Sequence, residues 1–242
     1  MQKKNYSVSI IIPVLNEIKS LDKTIKIISK IKINKEILVI TSKRHATKKT
    51  TDYLKSLSKS NKHIKFHYQE KPFVGGAIMT GIKKSKKFFV AIMAADLETN
   101  PHHLKKLISK SIQNQNSIIC GDRWIKKNSF KNYGFVNKIL NLFAQKIIKF
   151  FINININDFT FAYRIYPKNA LKGFNLKELR NGWSLELLIY PHSKGFNFLP
   201  VSTNWVARNE GKKSNVIINY LSFFKILIYY VFNYDFYSNN NN

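Results

Sequence analysis

The segment SVSIIIPVLNE, residues 7–17, decides the fold class of this chain. It begins with a continuous run of mostly β-branched apolar residues, which is typical of a parallel strand covered on both faces. Further strand-like segments follow along the chain: EILVIT (36–41), KFHYQ (65–69), FFVAIM (88–93) and SIICGD (117–122). Helix-like segments lie between them. This alternation predicts an α/β fold in which a mostly parallel sheet is flanked by helices.

The second half of the chain has a different pattern. A long helix is predicted from one apolar face, made by Phe135, Ile139, Leu142, Phe143, Ile147 and Phe150. A loop over 153–164, a helix around 183–192 and a strand-like segment over 196–207 are expected next. The last apolar stretch, 216–232, is interrupted by Asn219 and Lys225, which leaves fewer than the roughly 20 apolar residues that a membrane span needs.

The composition indicates a class of partner. The 242 residues carry 41 Lys and Arg against 13 Asp and Glu, a net charge of +28, with an isoelectric point near 10.1. Such a chain favours anionic partners, namely nucleic acid, an acidic membrane surface or phosphorylated substrates, although a general richness in Lys, Asn and Ile accounts for part of the excess. The single cysteine, Cys120, excludes an intrachain disulfide and indicates a reducing, cytoplasmic location. It ends an apolar run and is expected to be buried.

Polar residues follow three of the predicted strands, at the edge where parallel sheets bind ligands. They lie in the segments 13–17, 41–44 and 95–98. Asp96 and Glu98 are separated by one residue, so in an extended segment both carboxylates point to the same side. Two such carboxylates can share Mg²⁺ or Mn²⁺, which prefer oxygen ligands. The alternative is that Glu98 caps the helix that begins near Pro101 and that Asp96 is an ordinary loop residue.

Six short motifs occur together in a recognisable order. They are SIIIPVLNE (9–17), GGAIMTG (75–81), IMAADLETNP (92–101), CGDRW (120–124), DFTFAYR (158–164) and RNEGKKS (208–214). In this order the chain resembles family 2 glycosyltransferases of the GT-A fold, and within them the polyprenyl-phosphate, dolichol-phosphate mannose synthase-like branch. The resemblance implies a GT-A domain over residues 1–215, followed over 216–242 by a hydrophobic, membrane-interfacial helix and a disordered Asn-rich tail.

The resemblance implies a donor site and a metal site. Pro13, Asn16 and Glu17 match the family's motif for the nucleobase and ribose of a nucleotide-sugar, and Thr41 and Gly76 are expected beside the same donor. Mg²⁺ or Mn²⁺ is expected on Asp96 with Glu98.

Two departures from the family's pattern bear on this site. Ala94 replaces the first aspartate of the Asp-x-Asp motif, and Thr41-Ser42-Lys43 replaces the Asp-Asp-x-Ser segment that reads the base. Weaker metal binding, a different hold on the base, or loss of activity are the alternatives.

The resemblance also implies a phosphate site. Arg123, Arg164 and Arg208 match arginines that surround the donor diphosphate and the lipid phosphate, and guanidinium groups pair bidentately with phosphate. The family's arginine and serine on the next helix are replaced by Asn137 and Asn141.

The expected function is that of an inverting, metal-dependent glycosyltransferase. It would move a sugar from a nucleotide-sugar donor to a polyprenyl phosphate, as a peripheral protein at the cytoplasmic face of the membrane. A lipopolysaccharide or capsule sugar as acceptor is the alternative within the family, and an inactive or polyanion-binding protein is the alternative from another class. No specific nucleic acid is expected, because the basic residues are not grouped with an aromatic platform or recognition helix. The segment 216–237 is predicted to bind the membrane without crossing it, or else to pack on the domain.

Overall fold

The computed structural model describes residues 6–208, 210 and 216–232, and of 216–220 only the backbone. Within this part of the chain, strands and helices alternate as the sequence predicts. The elements are β1 Ser7–Pro13, α1 Ile18–Ser29, β2 Asn34–Thr41, α2 Lys48–Ser60, β3 Ile64–Tyr68, α3 Phe73–Lys84, β4 Phe89–Ile92, α4 Leu104–Gln113, β5 Ser117–Asp122, β6 Phe130–Lys131, α5 Phe135–Phe151, β7 Arg164–Pro167, α6 Trp183–Ser193, β8 Asn197–Ser202, β9 Trp205–Val206 and α7 Val216–Phe232.

Seven strands form the central sheet in the order β3-β2-β1-β4-β7-β5-β8. The pairs β1–β2, β1–β4, β2–β3 and β5–β8 are parallel, whereas β7 runs antiparallel to both β4 and β5. The two short strands β6 and β9 form a separate parallel pair. The predicted mostly parallel sheet is therefore confirmed, with β7 as an addition that the sequence pattern did not indicate.

Both faces of the sheet are covered, which explains why its strands are continuously apolar. Side chains alternate between the two faces of a strand, so Ile10 and Ile12 of β1 join one hydrophobic core and Ile11 joins the other. Helices α1, α2 and α4 cover the first face, and α3, α5, α6 and α7 cover the second. Cys120 is fully buried in β5, as expected, and burial raises the pKa of its thiol to about 12.

The long helix α5 is present, but its predicted apolar face points away from the core. Its buried residues are Asn141, Ala144, Gln145 and Ile148. Of the predicted face, Phe135, Ile139, Leu142, Phe143 and Phe150 are exposed, and only Ile147 packs, partly buried, against the core. The helix has this orientation because its two inward polar side chains, Asn141 and Gln145, bond to groups beneath it.

Helix α7 packs on α5 and α6, with Phe223, Ile226, Leu227 and Tyr230 in the core. Its opposite side leaves Leu221, Ile228 and Phe232 exposed. In the described part of the chain, no helix has both the length and the apolarity required to cross a bilayer. Residues 233–237 of the predicted membrane segment, and the Asn-rich tail, lie outside the described residues.

Candidate active site

A large cleft opens at the carboxyl ends of β1 and β4. The chain leaves β1 for β2 and β3 on one side and returns to β4 on the other, and such a reversal of strand order creates a crevice in open α/β sheets. The cleft has a volume of about 1130 Å³. Of the residues predicted for the site, it is lined by Pro13, Glu17, Asp96, Glu98, Arg123 and Arg208.

The carboxylates of Asp96 and Glu98 meet in the loop after β4, though not through an extended segment. Leu97 between them has a φ of 66°, in the left-handed region that a leucine rarely adopts. The bend lets Oδ1 of Asp96 accept a hydrogen bond from the amide of Glu98 at 3.1 Å. The helical turn at Pro101 is capped instead by Asn100, which accepts from the amide of His102. The predicted alternative that Glu98 caps this turn is therefore wrong.

Arg208 joins the two carboxylates. Its Nη2 lies 3.0 Å from Oδ2 of Asp96, and its Nε donates to Oε1 of Glu98 at 2.6 Å. Burial raises the pKa of Asp96 to about 6, repulsion from Glu98 adds to the rise, and Arg208 opposes it. The three side chains form one coupled electrostatic unit in the cleft.

A divalent cation fits the chemistry of this carboxylate pair. Both carboxylates offer the hard oxygen ligands that such ions prefer, and both line the cleft. Among the described residues, however, no three His, Cys, Asp or Glu side chains group together as ligands. A cation held here would need further oxygens, such as those of a diphosphate, and would meet the guanidinium of Arg208.

The other residues of the predicted donor motif have separate positions. Oε2 of Glu17 accepts from the amides of Leu15 and Asn16, at 2.8 and 3.0 Å, and shapes the loop after β1. Oδ1 of Asn16 accepts from the amide of Thr47 and the hydroxyl of Thr50, both at 3.0 Å, and so ties that loop to the start of α2. Asn16 thus supports the cleft wall without lining it.

Thr41 and Gly76 also lie off the cleft. Thr41 is fully buried at the end of β2, and its neighbour Ser42 lines the cleft instead. A Cβ on Gly76 would lie 1.9 Å from the carbonyl oxygen of Lys71, so glycine is needed there for close packing of α3. The structure gives Gly76 a packing role.

Arg123 belongs to a mostly buried polar network in the wall of the cleft. Its Nε and Nη2 bond to Asp158 at 2.6 and 2.9 Å, an almost fully buried bidentate pair. Gln145 donates to Asp158 and to Thr160, and Asn141 donates to Thr160. This network connects α5 to the loop before β7. It was not predicted, although Asp158 and Thr160 lie in a motif that the sequence singled out.

Arg164 does not reach the cleft, so the predicted phosphate role is corrected. It is fully buried on β7, where Nη1 donates to the carbonyl of Ser184 at 2.5 Å and Nη2 to that of Phe159 at 2.7 Å. Because β7 is inserted between β4 and β5, its side chains are enclosed by neighbouring layers. The guanidinium holds the start of α6 against the preceding loop.

The cleft also contains aromatic residues that the sequence did not indicate, including Phe73, Tyr133, Trp183 and Trp205. Phe73 begins α3 with a φ of 60°, and the guanidinium of Arg180 lies 4.1 Å from the centre of its ring. These side chains sit at the ends of elements, where periodicity carries no signal. The one sequence signal that could have identified these residues is an aromatic side chain next to a predicted loop.

The sheet order, the cleft and the carboxylates after β4 define a protein of the GT-A class of glycosyltransferases. The chain belongs to glycosyl transferase family 2, since the family model "Glycosyl transferase family 2" matches residues 9–174.

Curated relatives point to one branch of the family. A UDP-N-acetylglucosamine–dolichyl-phosphate N-acetylglucosaminyltransferase of Methanococcus voltae is 26% identical over 174 residues, which cover 69% of each chain. A dolichol-phosphate mannosyltransferase of Pyrococcus furiosus is 25% identical over 219 residues, 88% of this chain and 61% of that longer one. These relatives confirm the resemblance predicted from the six motifs.

Solved structures with the same fold include glucosyl-3-phosphoglycerate synthase of Mycobacterium tuberculosis. Its complex with Mn²⁺, UDP-glucose and phosphoglyceric acid superposes with a TM-score of 0.70 at 13% identity, over 94% of this chain and 80% of that one. A complex of the same enzyme with Mg²⁺ and UDP gives a TM-score of 0.71. At this identity the likeness concerns the fold alone, and the bound metal ions and nucleotides belong to the mycobacterial enzyme.

Proposed function

We propose that this protein is an inverting glycosyltransferase that moves a sugar from a nucleotide-sugar to a polyprenyl phosphate of the dolichyl type. The observation that carries the proposal is the unit of Asp96, Glu98 and Arg208 at the carboxyl end of β4, inside a cleft large enough for both substrates. The printed activities of the two dolichyl-phosphate relatives support the acceptor class.

In this proposal the donor diphosphate binds at this unit, and the nucleoside lies toward Pro13 and Ser42, which line the cleft at the ends of β1 and β2. Asp96 and Glu98 would hold Mg²⁺ or Mn²⁺, which when bound would supply positive charge for the departing diphosphate. Arg208 binds phosphate oxygens through its guanidinium fork, which keeps its charge at any working pH. The catalytic contribution of these residues is electrostatic and positional.

The acceptor needs no general base from the protein. A phosphate monoester is already anionic near neutral pH, whereas a hydroxyl acceptor requires a group that removes its proton. Attack from the face of the sugar opposite the diphosphate forms the new bond as the old one breaks, and inverts the anomeric centre. This argument favours polyprenyl phosphate over a sugar hydroxyl as acceptor.

The proposal is tested with a panel of UDP-, GDP- and CMP-sugars, with and without polyprenyl phosphate and Mn²⁺. Product carrying the inverted anomeric configuration, formed only when lipid phosphate and Mn²⁺ are both present, is the expected result. Asp96→Asn should abolish transfer, while Asp22→Asn, at a half-exposed carboxylate that contacts Lys26 and the Tyr53 hydroxyl outside the cleft, should not. Transfer to a sugar hydroxyl alone, or full activity of Asp96→Asn, would contradict it.

The acceptor is proposed to come from an anionic bilayer that contacts the α5–α7 face, the exposed sides of α5 and α7. Phe143, Phe150 and Phe232 are 62%, 84% and 81% exposed there. The two helices contain no acidic residue, and Lys138, Lys146, Lys149 and Lys225 are exposed on them. An apolar surface with lysines and without acids complements a negatively charged lipid surface, where each basic residue adds about 1 kcal/mol.

The α5–α7 face is continuous with the cleft. Gly134, Asn137 and Asn141, at and within the first part of α5, and Phe223 of α7 all line the cleft. A lipid phosphate that emerges from a bilayer on this face would enter the cleft directly. The arrangement supports peripheral contact with a membrane, and we propose the cytoplasmic face as the one contacted.

Binding to vesicles tests this face by substitution, because deleting α7 would also expose core residues such as Phe223 and Leu227. The double variant Phe143→Ser/Phe150→Ser should bind phosphatidylglycerol-containing vesicles at least tenfold more weakly, since burying a phenylalanine is worth about 1.5–3 kcal/mol. The control is Phe88→Ser, an exposed phenylalanine just before the amino end of β4, whereas the cleft opens at the carboxyl end of that strand. Equal binding of the wild type and the double variant at high salt would contradict the proposal.

A further inference from the structure

We infer that Arg208 is a built-in competitor for the divalent cation: in the free protein it occupies the carboxylate pair, and cation binding releases it toward phosphate. The inference rests on the proposed metal site. It assigns Arg208 a second role, in which the arginine sets how tightly the site holds a cation before the donor arrives.

The contacts of Arg208 involve the oxygens that a cation would use. Its Nη2 is 3.0 Å from Oδ2 of Asp96 and its Nε is 2.6 Å from Oε1 of Glu98, while Oδ1 of Asp96 is engaged by the amide of Glu98. The guanidinium therefore bridges the two carboxylates through one oxygen of each. A divalent cation and a guanidinium cannot both take this place, because like charges at contact distance repel strongly in a partly buried site.

The chain is anchored on both sides of Arg208, by a backbone bond at Ala207 and by the side chain of Glu210. The amide of Ala207 donates to the carbonyl of Lys131, next to the β6–β9 pair. The carboxylate of Glu210 accepts from the amides of Ser20 and Lys19 in the first turn of α1, at 2.8 and 3.3 Å. With anchors at 207 and 210, the side chain can exchange carboxylates for phosphate by changing its own rotamer.

This geometry predicts the direction in which cation affinity changes when Arg208 is removed, and a purely structural role predicts a different direction. If Arg208 only supported the loop, its removal would leave cation affinity unchanged or lower it by loosening the site. If Arg208 competes with the cation, its removal tightens cation binding, although the same change removes a proposed phosphate ligand. Removing Arg208 should therefore strengthen cation binding, through its role as a competitor, and weaken phosphate binding, through its role as a phosphate ligand.

The experiment measures Mn²⁺ binding to the metal-free full chain without donor, from the electron paramagnetic resonance signal of free Mn²⁺. Arg208→Ala should bind Mn²⁺ at least about tenfold more tightly than wild type, and Arg208→Lys should lie between them, because lysine keeps the charge and loses the fork. The matched control is Arg44→Ala, a cationic side chain that lines the same cleft. It should change the affinity by less than about twofold, as expected for a charge that is largely screened by solvent.

The outcomes separate this inference from the proposed function. Unchanged or weaker Mn²⁺ binding by a folded Arg208→Ala, or equal tightening by Arg44→Ala, overturns the competition. Undetectable binding in every variant overturns it too, together with the metal site. Tighter Mn²⁺ binding by Arg208→Ala, together with a wild-type protein that transfers no sugar to lipid phosphate, supports the competition and refutes only the proposed acceptor. Asp96→Asn should lose the binding whether or not Arg208 is present, and its retention would also overturn the assignment.

Discussion

Replacing Arg164 by lysine should destabilise the fold without weakening nucleotide binding by the folded protein. The side chain is fully buried, and its two terminal nitrogens donate to the carbonyls of Ser184 and Phe159 at 2.5 and 2.7 Å. Lysine has a single ammonium on a flexible stem, so it can keep one of these bonds and leaves the other carbonyl buried without its donor. The change therefore acts on the contact between α6 and the loop before β7.

The magnitude follows from the bond that is lost. A hydrogen bond to a charged group contributes about 1.5–3 kcal/mol, and an unsatisfied buried carbonyl retains its desolvation cost, so Arg164→Lys should lower the free energy of unfolding by about 2–3 kcal/mol. Urea unfolding followed by circular dichroism measures this as a lower midpoint at an unchanged slope. Arg44→Lys, at an arginine that lines the cleft, is the control and should stay within about 0.5 kcal/mol of wild type.

Nucleotide binding distinguishes the structural role of Arg164 from a role as a phosphate ligand. Under conditions where both proteins are folded, the dissociation constant for UDP with Mn²⁺ should agree within about twofold, or about 0.4 kcal/mol, between wild type and Arg164→Lys. A variant with wild-type stability and a strongly weakened hold on UDP would refute the structural role. It would restore Arg164 as a phosphate ligand.

Three further predictions concern stability and use the same urea assay. Asp158→Asn leaves the buried guanidinium of Arg123 without its anionic partner and should cost about 3–5 kcal/mol; a loss below 1 kcal/mol would contradict the pairing. Burial by itself would raise the pKa of Glu36, but hydrogen bonds and a lysine charge outweigh it and hold the pKa below the ordinary value of 4.5. The Glu36 carboxylate therefore stabilises the protein above that pH and loses this effect as the pH falls through the folded pKa, so Glu36→Gln should be less stable at pH 7 and show a smaller loss on acidification. An equal loss of stability on acidification in the wild type and in Glu36→Gln would contradict this role of the carboxylate. Gly76→Ala places a Cβ 1.9 Å from the carbonyl oxygen of Lys71 and should cost about 1–3 kcal/mol through overpacking, whereas an unchanged midpoint would show that α3 can shift freely.

Local pattern was enough to predict most elements of the sheet. The runs that became β1, β2, β4 and β5 are apolar because both faces of each strand are covered, and this leaves a direct trace in the sequence. Strand β7 left no such trace. It is four residues long and antiparallel, and it contains a buried arginine whose partners, Phe159 and Ser184, come from the preceding loop and from α6. A short strand inserted between two others depends on pairings that are distant in sequence.

The candidate site was also predicted only in part: the carboxylates were identified from the sequence, whereas the roles of the arginines were not. Asp96 and Glu98 were identified because two acids in a basic chain, directly after a strand, are conspicuous without any tertiary information. The choice among arginines was not visible, because Arg123, Arg164 and Arg208 look alike in a motif. Their surroundings differ: Arg123 is paired with Asp158, Arg164 bonds to backbone carbonyls in the core, and Arg208 is paired with the carboxylates of Asp96 and Glu98.

The sequence by itself determined the α/β class, the strand positions, the family and the carboxylates at the end of β4, because periodicity and short motifs are local properties. Only the tertiary structure decided that Arg164 is buried, that Arg208 bridges Asp96 and Glu98, and that α5 turns its polar Asn141 inward and its phenylalanines outward. An amphipathic pattern fixes which residues share a helix face, whereas the partner of that face depends on which polar groups lie beneath the helix and need hydrogen bonds.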